Sequence, residues 1–204
     1  MDPMKLLITA FEPFGGEDTN ASLETMKALP ETEGVTVRRI TVPVVFRDCA
    51  ECVLDAVKDF QPDALIMLGQ AGGRAHVTPE LTAHNEDDAR IPDNREDRPV
   101  KRKIIPDGPD TIRTKLPAEE IARRMRTKGV PACVSEDAGR FVCNHLMYEV
   151  LCALEREGIG IPAGFIHLPY LEEQNRTTQP CVTKKEAADA LSTAVEVLYE
   201  GWKK

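Results

Sequence analysis

A thiol with a histidine placed to take its proton is the first chemistry that this chain suggests. The thiol is Cys143, in the stretch Gly139-Arg-Phe-Val-Cys-Asn-His145. Upstream, the short apolar run 131–135 reads as a buried strand. Downstream, Val142, Leu146, Val150 and Leu154, joined by Met147 and Leu151, recur at helical spacing, and Gly158 suits the end of that helix. The turn at Asp137-Ala138-Gly139 then drops Cys143 into the helix's first turn. There the positive end of the dipole and unpaired N–H groups favour the thiolate. A buried, inert thiol is the competing reading of the same residue.

A cysteine nucleophile is helped by a histidine and usually by a third group that orients the imidazole. Four histidines are available. His145 stands two residues from Cys143, and residues so spaced do not share a helix face. His76 and His84 fall in a weakly alternating segment of open register. His167 closes an apolar run just before Pro169, at the carboxyl edge of an expected strand, and is the preferred partner. Many acids could orient the ring, and spacing ranks none of them.

The elements that must position these groups alternate. Residues 6–10 form an apolar strand, followed by Gly15-Gly16 and a helix with Thr19 or Asn20 as N-cap. Residues 35–45 read as a second strand broken by Pro43, 47–60 as an amphipathic helix, and 64–68 as a strand covered on both faces. That last run opens into Gly69-Gln-Ala-Gly-Gly-Arg74. An irregular stretch at 85–116 precedes a helix at 118–128 with Pro117 at its first position, and 184–202 is a long amphipathic helix. The expected fold is α/β: one domain over 1–204 with a mostly parallel central sheet and helices on both faces, a three-layer α/β/α arrangement. Reactive groups in such sheets collect at the carboxyl ends of strands, here the loops 11–16, 69–74, 136–143 and 167–171.

Other chemistries fit less well. The loop after the first strand lacks the lysine and glycine spacing of a phosphate cradle, and Phe11 and Phe14 suit it to an apolar pocket wall. A net charge of −8 over 204 residues argues against a nucleic-acid surface. No segment has the length of a membrane span, and the N-terminal apolar run is too short for a signal-peptide core, so the expected address is the cytosol. Cys49 and Cys52 lie inside a helical pattern rather than at the helix start that a redox pair needs, and no second Cys/His pair has zinc spacing.

Taken together, Phe11-Glu-Pro-Phe-Gly-Gly, Gly69-Gln-Ala-Gly-Gly-Arg, Thr78-Pro-Glu, Asp88-Ala-Arg-Ile-Pro-Asp-Asn, Phe141-Val-Cys-Asn-His and Gly164-Phe-Ile-His-Leu-Pro-Tyr resemble the pyroglutamyl peptidase I family of cysteine peptidases. The likeness runs from residue 5 to about Gln174, in order and spacing. It implies a catalytic Cys143, His167 and Glu80, and a substrate pocket of Phe11, Phe14, Asn20, Gln70, Ile91, Phe141 and Val142. It also implies that Arg90 lies near the nucleophile, as a candidate to hold the oxyanion. By the same resemblance the protein needs no metal or organic cofactor, is cytosolic, forms a homotetramer and acts on peptides that begin with pyroglutamate.

Three departures stand out. Glu136, Asp137 and Arg140 replace uncharged residues usual before Phe141, the segment Asp110-Thr-Ile-Arg113 lacks a frequent aromatic, and Val44 replaces a common threonine. Near the thiol, the two acids would raise its pKa and Arg140 would lower it. The charged segment leaves open an acyl-transfer amidase acting on another small amide, and a non-catalytic binding relative is the remaining alternative.

Overall fold

The computed structural model describes residues 2–204. The chain runs from β1 (Met4–Phe11) through α1 (Ala21–Ala28), β2 (Val35–Val42), α2 (Asp48–Phe60) and β3 (Ala64–Gln70). Three short strands follow, β4 (Thr78–Pro79), β5 (Thr82–His84) and β6 (Thr111–Arg113), then α3 (Ala118–Thr127) and α4 (Val142–Arg156). β7 (Ala163–Leu168), β8 (Tyr170–Leu171), a 3-10 turn at Glu172–Gln174, β9 (Cys181–Val182) and α5 (Lys184–Trp202) complete it.

The main sheet has the order β2-β1-β3-β7-β4, parallel throughout except for β4, which runs against β7. Its middle strands are continuous apolar runs because helices cover both faces. Leu6, Ile8, Ile66 and Ile166 face α1, α3 and α5, while Leu7, Leu65, Met67 and Phe165 face α2 and α4. This is the expected three-layer α/β/α domain. Caps set the helix ends: Asn20 Oδ1 accepts the Ser22 N–H at 3.0 Å to start α1, and Thr183 and Glu186 form a capping box on α5. Gly158, at φ +70°, closes α4 as the residue after its C-cap.

Several expectations shift in detail. Residues 131–135 do not form a buried strand, for they make only the isolated bridges Val77–Ala132 and Glu80–Ser135, and Cys133 is exposed. The reason is position: the segment lies beside the sheet's edge and has a backbone partner on one side only. Residues 76–84 divide at Pro79, β4 joining the main sheet and β5 pairing with β6. Pro117 is the N-cap of α3 rather than its first helical residue. The stretch 85–116 is mostly irregular but firmly tied. Asn85 Oδ1 accepts from Ile104 N and Ile105 N while its Nδ2 donates to Ile105 O and Gly108 O, and buried Asp93 accepts from Phe46 N, Arg95 N and Asp97 N. Buried polar side chains replace the missing ladders.

Candidate active site

Cys143 is the second residue of α4. The N-cap, Phe141, supplies no side-chain acceptor, and the helix ladder begins with His145 N donating to Phe141 O at 3.1 Å. The N–H groups at the start of α4 are therefore left for a ligand. Asn144 anchors this end of the helix. Its Oδ1 accepts from His84 N at 2.8 Å, and its Nδ2 donates to His84 O and Glu86 O at 2.9 and 3.1 Å.

The sulfur lies over Gly69, near the carboxyl end of β3. A Cβ built there would sit 2.9 Å from Cys143 Sγ and 2.6 Å from Phe165 Cζ, so only glycine lets α4 come this close. Gly69 is also the register partner of His167 on β7. His167 shares a sheet face with Phe165, the ring centroids 4.8 Å apart. Thiol and imidazole thus flank the same glycine, although no hydrogen bond joins them among the described residues.

Behind the imidazole stands Glu80, fully buried, its own N–H donating to Phe165 O at 2.9 Å. Glu80 Oε1 lies 2.7 Å from His167 Nδ1. The same oxygen accepts from Arg74 Nη1 at 2.5 Å, and Arg74 Nη2 donates to Asp137 O at 2.9 Å. Glu80 Oε2 is buried with no partner. Burial lowers the His167 pKa from its usual 6.5, and the neighbouring Glu80, which pushes the other way, does not reverse it. Burial, and then the Glu80 charge, push the Cys143 thiol up to about 12.

This runs against the expectation of a thiolate favoured by the helix start: Cys143 does stand in the first turn, but burial raises its pKa more than its own backbone N–H and Arg74 lower it. Both shifts favour a neutral thiol beside a neutral imidazole. Nor do the charges preceding Phe141 act on it. Glu136 pairs with Arg113, while Arg140 pairs with Asp137 and Glu86.

The thiol closes one wall of a small pocket, about 280 Å³ of unfilled space, lined by Phe11, Phe14, Asn20, Val44, Gln70, Phe141, Val142 and Cys143. Phe14 and Phe141 lean together at 6.1 Å, and Phe46 meets Phe141 edge-on at 5.6 Å. The two polar side chains differ in what they can offer. Asn20 is mostly used by the fold, its Nδ2 donating one hydrogen to Glu12 O and its Oδ1 accepting from Ser22 N and Ser22 Oγ. Gln70 Oε1 accepts from Ala21 N at 2.8 Å and from Gln174 Nε2 at 2.9 Å. Those two donors orient the amide and leave both hydrogens of Gln70 Nε2 without a partner among the described residues, against one on Asn20 Nδ2.

The site thus gathers Cys143, His167, Glu80, Phe11, Phe14, Asn20, Gln70, Phe141 and Val142. It does not gather Arg90 and Ile91 into the pocket lining: both are exposed. Asp88 N donates to Arg140 O and Ala89 N to Pro99 O, which buries Ala89 and turns the next two residues outward. A guanidinium to which the sequence reading assigned no role, Arg74 of the glycine-rich loop after β3, is the one bound to the Glu80 carboxylate among the described residues. Gln174 and Asn144 gave no signal in the sequence either. Among the described residues, no group of three or more His, Cys, Asp or Glu side chains could hold a metal ion. Larger recesses exist along α4, beside Ile105 and Cys152, and at the foot of the sheet, beside Met4 and Trp202, but neither contains a nucleophile paired with a base.

Known proteins resemble this chain in sequence and in fold. The family model described as pyroglutamyl peptidase matches residues 4–201. The pyrrolidone-carboxylate peptidase of Thermoanaerobacter sp. is 43% identical over 198 residues, covering 96% of this chain and 98% of that one. That of Bacillus licheniformis is 44% identical over 196 residues, with coverage of 95% and 88%. Among solved structures, pyroglutamyl peptidase I of Bacillus amyloliquefaciens superposes with a TM-score of 0.92 at 39% identity, covering 97% of each chain. A mutant pyrrolidone carboxyl peptidase of Pyrococcus furiosus gives 0.91 at 33% identity, covering 98% of this chain and all of that one. With a model match across almost its whole length and relatives 43 and 44% identical to it, this chain belongs to the pyroglutamyl peptidase family.

Proposed function

We propose that the protein, a single peptidase domain over 1–204, removes the N-terminal pyroglutamyl residue from peptides, with Cys143 as nucleophile, His167 as general base and acid, and Glu80 orienting the imidazole. One observation carries this reading: the Cys143 sulfur forms a wall of a small apolar pocket and shares Gly69 with the buried His167–Glu80 pair.

The pocket suits a neutral five-membered lactam. Phe11, Phe14, Phe141 and Val142 cover its faces, and Gln70 Nε2 donates to the lactam carbonyl. An ordinary N-terminus brings an ammonium, and burying that without a counter-charge costs several kcal/mol. A proline ring lacks the carbonyl and leaves the Gln70 donor unpaired, which is the stronger kind of discrimination.

With Nδ1–H directed at Glu80, Nε2 is bare and takes the Cys143 proton as sulfur bonds to the acyl carbon. The oxyanion that forms accepts from N–H groups at the start of α4, Cys143's own among them. His167 then passes its proton to the leaving amine as the C–N bond breaks, and the shortened peptide departs. Water attacks the thioester and gives its proton to His167. The S–C bond breaks, the thiol is restored and pyroglutamate leaves. Since a neutral thiol is a poor nucleophile, proton transfer to His167 is essential here rather than auxiliary.

The rival amidase reading drew on the charges at 136–140, which pair with one another and with Arg113 and Glu86 and do not line the pocket. The resemblance supports a cytosolic homotetramer, and no helix among the described residues is long and apolar enough to cross a membrane. Hydrolysis of a panel of aminoacyl amides by wild type and Cys143→Ala tests the whole reading. Pyroglutamyl amide should be the best substrate and the variant should be inactive. A preference for another amide would sink the substrate, and equal rates would sink the nucleophile.

A further inference from the structure

Arg74 has no part in the mechanism above, yet among the described residues it is the one cation hydrogen-bonded to Glu80. Both of its partners matter. Nη1 meets Glu80 Oε1, the oxygen that also holds His167 Nδ1, and Nη2 reaches Asp137 O in the segment that leads into α4. The planar guanidinium therefore ties the glycine-rich loop after β3, the residue after β4 and the approach to the nucleophile. Glu80 has no solvent to share its charge with, and its second oxygen has no partner. The charged or titratable groups around the imidazole are Glu80, Arg74 and, across Gly69, Cys143.

We infer that Arg74 is a positioning residue for the reaction: it shares Glu80 with His167, so that the carboxylate orients the ring through Nδ1 without turning it into an imidazolium. A buried carboxylate that faces only an imidazole draws a second proton onto the ring. An imidazolium has no free nitrogen with which to take the thiol's proton. A carboxylate already matched by a guanidinium still accepts the Nδ1–H bond, which fixes the tautomer with Nε2 bare, but its field at the ring is largely cancelled. Glu80 thus decides which nitrogen carries the proton, while Arg74 keeps the ring from taking a second one. The burial-dominated lowering of the His167 pKa, to which Arg74 contributes, points the same way.

This inference rests on the Cys143–His167–Glu80 reading, and the experiment separates the two. The pH dependence of kcat/KM on a pyroglutamyl amide, and of Cys143 alkylation by iodoacetamide, is measured for wild type, Arg74→Met, Arg74→Lys, Glu80→Gln and the Arg74→Met/Glu80→Gln double variant. Arg74→Met should lose about 100-fold in kcat/KM at pH 7, with the acid limb of its profile moved up by about one pH unit. Arg74→Lys keeps the charge without the fork and should keep the wild-type limb at a rate within about tenfold. With Glu80→Gln in place, Arg74→Met should cost less than about threefold more, because the group through which it acts is gone. An unmoved acid limb in Arg74→Met, or an undiminished cost in the Glu80→Gln background, would overturn the inference and leave the trio standing. Full activity of Glu80→Gln would overturn the trio and the inference with it. If Arg74→Met does not fold, a wild-type limb in Arg74→Lys still supports the role, and a limb displaced upward in that variant overturns it.

Discussion

Two buried histidines in this protein each face a carboxylate, yet their surroundings drive them opposite ways. His167 meets Glu80 at 2.7 Å, and that carboxylate is already bound by Arg74. His145 meets Asp87 at 3.0 Å through Nδ1 and Glu149 at 2.8 Å through Nε2. Burial pulls the pKa of both rings down. At His145 the two carboxylates outweigh burial and raise it, whereas at His167 one shared carboxylate does not. A histidine–carboxylate pair is therefore no guide to charge state until the carboxylate's other partners are counted.

The pairs differ equally in what they hold. His145 packs edge-on against Phe46 at 5.4 Å, and its Nε2 lies 3.0 Å from Arg47 N. Arg47 sits at φ 68°, ψ −58°, a strained turn in which Asp48 N donates back to Phe46 O at 2.9 Å. Phe46 in turn supports Phe141 in the pocket wall. The His145 pair thus fastens the framework beneath the pocket, while the His167 pair presents a free nitrogen to the thiol.

Removing each pair tests this division. His167→Gln, which keeps a polar side chain beside Glu80, should lower kcat/KM by about 1,000-fold while costing less stability than a change in the His145 pair, read from rates and denaturant melts together. Asp87→Asn breaks a buried ion pair and should cost about 3 kcal/mol of stability, with kcat/KM within about tenfold of wild type once folded. The reverse pattern, the larger stability loss from His167→Gln and inactivity from Asp87→Asn, would erase the distinction.

Titration sharpens the same contrast with smaller effects. Proton NMR should find His167 below 6.5 and His145 above it. Activity needs a neutral His167, so kcat/KM should hold as pH falls to 6.5 and drop only below it. The stability linkage has opposite signs. Below pH 6.5 the unfolded chain protonates at position 167 where the folded one resists, so that contribution is lost as pH falls. At position 145 the folded chain keeps its proton longer, so its contribution is present below 6.5 and lost as pH rises through the raised value. Coincident titration of the two rings would refute the account of both.

Much of this was legible from residue order alone. The apolar runs of β1, β3 and β7 and the helical spacing of α4 and α5 are local patterns, and local patterns decide where strands and helices form. The same order placed Cys143 at a helix start and His167 at a strand's carboxyl end. Glu80 entered only through the family resemblance, because 87 residues separate it from His167 and spacing favours no acid. Packing decided the rest. Whether Cys143 rests as thiol or thiolate depends on burial outweighing its backbone N–H and Arg74. Whether Asn20 or Gln70 can meet a substrate depends on which of them the fold has already used. Whether Arg90 reaches the nucleophile, and whether Arg74 reaches Glu80, depends on which way two loops turn. Each is a contest between desolvation and partners brought from distant parts of the chain, and a contest of that kind has no trace in the order of residues.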